Sequence, residues 1–150
     1  EDVKSLRRAL ETGLIDIIAT DHAPHTEDEK KAGLEKAPFG INRLETALPS
    51  LLDLLVKKES FPLDRLIEAF TARPAKLLNL KSGGRIKKGE LADLTIIDLE
   101  GKTTISQETM ASKSHNTPFL GTAFTGSIVM TFSSGQPVYQ NKNYDKISIG

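Results

Sequence analysis

Val3, Leu6 and Leu10 recur at the spacing of one helical face, with charged residues between them. Asp2 stands in an N-cap position and Gly13 where a helix C-terminal glycine belongs, so the pattern predicts an amphipathic helix over residues 1–12. The next run, LIDIIA at 14–19, is short, almost wholly apolar and rich in β-branched residues. Such a run suits a parallel strand buried on both faces better than a solvated antiparallel one. Helix, glycine turn and buried strand form the αβ half of a repeating α/β unit. The periodicity then disappears. Residues 20–40, TDHAPHTEDEKKAGLEKAPFG, read as a polar loop. At about 20 residues it is long enough to be either functional or disordered. It leaves the C-terminal end of the predicted strand, where α/β sheets and barrels build their sites.

Leu44, Leu48, Leu51, Leu52 and Leu55 mark a second helix, with Asn42 and Glu45 spaced as a capping box and Pro49 placed to kink it. A third helix fits residues 64–70, capped by Asp64, and Pro74 suits the first position of a short fourth, PAKLLNL, ending before Gly83 and Gly84. Beyond Gly84 the character turns to β. Residues 94–99 are a strand run, Gly89 and Gly101 read as turns, and 128–132 with 137–139 flank a hairpin signal at Ser134–Gly135. Residues 112–126 read as a surface loop. The expected division is therefore an α/β part over 1–83 and a mainly β segment over 84–150.

Composition narrows the possible partners. The 20 basic and 20 acidic residues cancel, and no run of five like charges appears, so neither nucleic acid nor an anionic membrane is an expected partner. The absence of cysteine excludes a disulfide scaffold and thiolate metal sites, and agrees with a cytoplasmic location. No apolar run approaches the roughly 20 residues needed to span a bilayer. The opening EDVKSLRRAL has charges where a signal peptide has its apolar core and no initiator methionine, so it reads as an internal start.

The chemistry concentrates in IATDHAPH. Two of the three histidines, His22 and His25, follow Asp21 just past the apolar run. A carboxylate on a rigid element at that face can ligate zinc or accept a proton from metal-bound water. His25, after Pro24, can turn back over the site and donate a hydrogen bond to an anionic substrate. The plainer alternative is an aspartate capping its own turn beside solvated histidines, and the spacing leaves both open. His22 is placed either to pack beneath the site or to point into it, and His115 reads as a surface histidine.

The string IATDHAPH, followed by PFG and LET, resembles the last barrel strand and following loop of the dihydroorotases, in the cyclic amidohydrolase superfamily. TARPAKLLNL, GGRIKKGELADLTIIDL and NTPFLG resemble the C-terminal portion of the same family in the same order, so the resemblance covers nearly the whole chain. DHAPH with PFG is its most specific element. The GRI-x-x-G-x-x-ADL pattern occurs in many related amidohydrolases.

This resemblance implies the C-terminal fragment of a TIM-type (β/α)8 barrel followed by part of an appended small β domain. It implies a zinc-dependent enzyme that interconverts L-dihydroorotate and N-carbamoyl-L-aspartate in pyrimidine synthesis. Asp21 matches the aspartate that ligates zinc and serves as general base. His25 matches the histidine that contacts the substrate carboxylate, and Phe39 and Gly40 match a loop whose backbone contacts the substrate ring.

Three departures stand beside it. The His-x-His-x-Arg pattern of the first barrel strand is absent, as are the bridging ligand and the histidines of the middle strands, and Asn42 and Arg43 replace small residues ending in glycine. The 150-residue chain alone is accordingly expected to be inactive and to self-associate through open sheet edges. The competing readings are an allantoinase or hydantoinase, and a catalytically silent homologue acting as an assembly partner.

Overall fold

In the computed structural model, residues 1–144 are described. The elements run α1 (Asp2–Thr12), α2 (Glu27–Lys31), α3 (Ala47–Leu51), a π-helical stretch (Leu52–Lys57), α4 (Leu63–Phe70), α5 (Ala72–Leu77), β1 (Leu94–Thr104), β2 (Ala123–Ser133) and β3 (Gln136–Gln140). Helices thus precede a three-stranded sheet of order β1-β2-β3. The chain folds as two compact units: one holds Glu1–Ala19, Leu55–Asp98 and the described residues from Ile128, the other Thr20–Leu54 and Leu99–Ser127. No helix among the described residues is long and apolar enough to cross a membrane.

In the first unit, α1 ends as its sequence requires. Gly13 is left-handed at φ 79°, and its N–H returns to Ala9 O and Leu10 O. Arg65 of α4 adds a cap by donating from Nε to Glu11 O at 3.1 Å. Position 2 is corrected, however: Glu1 is the N-cap and Asp2 the first helical residue.

The strand expected at 14–19 does not form. The Leu14 and Ile15 N–H groups turn back to Ala9 O, Ile18 N–H donates to Ala69 O at 3.2 Å, and Leu14 is 83% exposed. A parallel strand exists only through the ladder of its neighbours, and no described strand lies beside this run.

The prolines are better placed than their spacing suggests. Pro49 and Pro74 are each the third residue of a helix, α3 and α5, where the missing N–H has no helical partner to lose. Pro49 therefore needs no kink, and α5 begins at Ala72 rather than at Pro74. Asp64 is not the cap of α4 either. Pro62 takes that position, while Asp64 Oδ1 accepts from the Arg65 N–H. Leu66 and Ala69 of α4 are buried, and α4 packs on α5.

The hairpin forms as predicted around Ser134 (φ 51°) and Gly135 (φ 80°), two left-handed residues in a tight turn whose twist suits the flanking strands. Gly101 lies inside β1 rather than in a turn, because ladder pairing outweighs a single glycine's turn preference. In the second unit, Ile105, Met110 and Phe124 form a buried cluster with Phe119 packed against it.

Gly84 has φ +69°, and a Cβ there would lie 2.7 Å from Ala72 Cα, whereas Gly89 at φ +89° has open space around it. Gly89→Ala should therefore cost about 1 kcal/mol for its left-handed backbone alone. Gly84→Ala adds a backbone collision and should cost at least about 2 kcal/mol. Urea denaturation of the two variants decides this; equal losses contradict the close approach.

Candidate active site

The site begins where the 14–19 run ends. Asp21 takes a left-handed backbone, φ 46°, a conformation that aspartate tolerates better than a β-branched residue. The chain then runs parallel to residues 39–43. His22 forms an isolated parallel bridge with Ile41, and Ala23 N–H donates to Ile41 O at 3.1 Å.

His22 lies beneath this contact. Its Nδ1 accepts from the N–H groups of Arg43 and Leu44, each at 3.2 Å, so Nε2 carries the proton in the neutral ring. One ring nitrogen of His22 is thereby tied to the backbone of the 43–44 turn. The neighbouring Asn42 and Glu45 show what became of the expected capping box. Asn42, fully buried, donates from Nδ2 to Ser114 O at 2.7 Å, and Glu45 accepts from Ala111 N–H and Ser112 N–H, so neither side chain caps α3. Thr46 is the N-cap instead.

The loop closes on the first segment through a glycine. Gly40 has φ +123°, and a Cβ there would lie 2.6 Å from Ala23 Cβ and 2.8 Å from Ala23 O. One residue earlier, His25 Nε2 donates to Phe39 O at 2.9 Å, since a carbonyl can only accept. His25 Nδ1 lies 3.7 Å from Glu29 Oε2. The Phe39 ring itself is 98% exposed.

Between these segments is α2, inside the region where periodicity vanishes. Thr26 and Glu29 form a full capping box: Thr26 N–H and Oγ1 donate to Glu29 Oε2 at 2.8 Å each, and Glu29 N–H donates to Thr26 Oγ1 at 3.3 Å. These bonds from Thr26 hold the Glu29 carboxyl below its usual value of 4.5. The signal was present as T-E-D-E, a Thr followed three residues later by Glu.

A hollow of about 340 Å3 is lined by Thr20, Asp21, Gly40, Ile41 and Arg43. It brings together Asp21 and Gly40 among the expected site residues, with His25 and Phe39 joined to each other alongside. Arg43 lines the hollow although no motif marked it as a site residue. Its guanidinium carbon sits 5.2 Å from the centre of the Phe119 ring, which meets Phe124 edge-on at 5.3 Å. Arg43 and Phe119 are far apart in sequence, so no local pattern links them. His115 is half-buried and outside the lining. A second hollow, about 490 Å3, is lined by residues such as Lys76, Asn79 and Arg85 with no carboxylate or histidine, so its greater size carries no acid–base chemistry.

Zinc takes three or four donors from side chains such as His, Cys, Asp and Glu. Among the described residues no group of three or more of these stands close enough to hold a metal ion. Asp21 offers one carboxylate, and the described residues do not by themselves make a zinc centre.

Comparison with known proteins fixes the class. The family described as "Amidohydrolase family" matches residues 1–138, and the chain belongs to that family. Within it, the chain is similar to dihydroorotases. It is 48% identical over 143 residues to those of Bacillus cytotoxicus and Bacillus cereus strain AH820, covering 95% of this chain and 33% of each relative. The chain thus spans about a third of the length of the curated relatives it matches. Among solved structures, an L-hydantoinase (dihydropyrimidinase) from Arthrobacter aurescens is 36% identical with TM-score 0.82, covering 90% of this chain and 31% of that one. A dihydropyrimidinase from Brevibacillus agri NCHU1002 is 28% identical with TM-score 0.84, covering 92% and 31%.

The capping box gives α2 a definite pH response. Because the folded Glu29 carboxyl titrates below 4.5, its contribution is fully present above that value and is lost as pH falls through the lower, folded value. Amide exchange over residues 26–32 should accelerate as pH falls below 4.5 and through the lower folded value, relative to an unperturbed helix. Glu29→Gln should remove that added pH dependence; a variant whose profile matches the parent would contradict the assignment.

Proposed function

We propose that this chain forms one wall of a dihydroorotase active site, and that the full-length enzyme interconverts L-dihydroorotate and N-carbamoyl-L-aspartate in pyrimidine synthesis. On this reading residues 1–83 belong to a (β/α)8 barrel in which the 14–19 run becomes the last strand once neighbouring strands supply its ladder, and 84–150 belong to an appended β domain. The observation that carries it is the hollow in which Asp21 faces Gly40 across two segments joined by the His22–Ile41 bridge and the His25–Phe39 bond. Identity points the same way: 48% to dihydroorotases against 36% and 28% to the hydantoinase-type structures.

Asp21 acts as general base. Its exposed carboxylate accepts a proton from the attacking water as the water oxygen bonds to the ring carbonyl carbon. When the carbon–nitrogen bond breaks, the same carboxyl gives that proton to the leaving nitrogen, and the ring opens to the carbamoyl acid. His25 contacts the substrate carboxylate, exchanging its bond to Phe39 O for one to the ligand. The backbone of Phe39 and Gly40 contacts the ring. In the full-length protein Asp21 would supply one oxygen donor to a zinc ion, and that ion would supply polarisation of the ring carbonyl. On this reading the enzyme acts in the cytoplasm.

The roles separate kinetically. In the full-length protein, Asp21→Asn should lower kcat by about a thousandfold or more, because a base acts in the transition state. His25→Ala should chiefly raise KM, because a carboxylate contact is made in ground and transition states alike. Steady-state kinetics with dihydroorotate reads both, and an Asp21→Asn enzyme keeping a tenth of normal activity sinks the assignment.

The isolated 150-residue chain should neither bind zinc tightly nor turn over dihydroorotate, and should self-associate. Calorimetric zinc titration, an activity assay and light scattering test these three statements. A monomer with submicromolar zinc affinity overturns the one-wall account.

A further inference from the structure

The loop that carries Phe39 and Gly40 is held by its carbonyl oxygens, from two directions. Lys30 of α2 donates from Nζ to Pro38 O at 2.8 Å and to Gly40 O at 2.9 Å. Asn116 donates from Nδ2 to the same Gly40 O at 3.0 Å, across 76 residues of sequence. With His25 on Phe39 O, three consecutive carbonyls are taken by side-chain donors, and Lys30 bridges the outer two.

Surface lysines normally project into water, so a half-buried ammonium spent on two backbone oxygens is informative. Among the described residues Lys30 has no carboxylate partner, so its charge strengthens the bonds to the loop rather than an ion pair. Asn116 is itself fixed. Its carbonyl accepts from Asn42 N–H at 2.7 Å, Asn42 Nδ2 holds Ser114 O, and Glu45 holds the N–H groups of Ala111 and Ser112. The Gly40 oxygen is thus held between a helix and a stitched segment. The residue that bears it is a glycine, which would otherwise have several backbone wells open to it.

We infer that Lys30 and Asn116 are positioning residues of the reaction. By fixing the Gly40 carbonyl they set the orientation of the Phe39–Gly40 backbone toward the hollow that holds Asp21. The inference rests on the reading of residues 39 and 40 as the substrate loop. It makes α2 part of the binding machinery, because its lysine holds the loop by two carbonyl oxygens.

The test uses Lys30→Met, which keeps the stem and removes the donors, together with Asn116→Ala and Lys30→Arg, all in the full-length protein. Amide exchange at Phe39, Gly40 and Ile41 is measured beside KM and kcat for dihydroorotate. Lys30→Met and Asn116→Ala should each speed exchange at these residues by about tenfold or more. KM should rise by about tenfold, with kcat within about twofold of the parent. Lys30→Arg, which retains a cationic donor, should recover most of both effects. Unchanged exchange in both donor-removing variants overturns the clamp. Faster exchange with KM and kcat unmoved overturns the positioning role. If the unmodified protein does not turn over dihydroorotate, the substrate reading fails, and the exchange measurements alone decide the clamp.

Discussion

Everything in the site depends on two stretches of backbone lying closer than a side chain would permit. Gly40 sits so near Ala23 that a single added carbon would overlap it, and this proximity allows the Ala23–Ile41 hydrogen bond, the His22 bridge and the His25–Phe39 contact to form together. A residue with a Cβ would also resist the φ of +123° at that position. The hollow beside Asp21 is a product of this contact: one wall is the turn that follows the apolar run, the other the loop ending in PFG. The histidines serve the same contact from both sides, His22 by accepting two backbone N–H groups and His25 by donating to a carbonyl.

Elements specified by their own residues were readable in advance. Gly13 closed α1, and Ser134–Gly135 closed the hairpin, because in each case the conformation is imposed within a few residues of chain. Elements that depend on distant partners were not. The 14–19 run has the composition of a strand, yet a strand also needs a ladder, which its own residues do not supply. Asn42 and Glu45 have the spacing of a capping box, but Ser114, Ala111 and Ser112 compete for their side chains and win, while the real box at Thr26 and Glu29 went unread inside a polar stretch.

The candidate site divides in the same way. Asp21, His25, Phe39 and Gly40 stood out because a short motif holds them, and the chain's membership of the amidohydrolase family supports the chemistry proposed for them. Arg43 and Lys30 had no such signal, and Asn116 opens the NTPFLG motif, which gave it no role in the site. Arg43 finds its place on Phe119, and Lys30 and Asn116 find theirs on backbone oxygens that every sequence has and no pattern marks. Supporting contacts of this kind determine how firmly a site is held, and they become visible only once the segments have met.

The most direct test of the account is a crystal structure of the full-length protein with dihydroorotate bound. The account predicts the substrate ring in the hollow between Asp21 and Gly40, with the Asp21 carboxylate within about 3 Å of the attacking water or the leaving nitrogen and His25 turned from Phe39 O to the substrate carboxylate. A complex in which dihydroorotate binds elsewhere, or in which the Asp21 carboxylate points away from the reacting carbonyl, would contradict it.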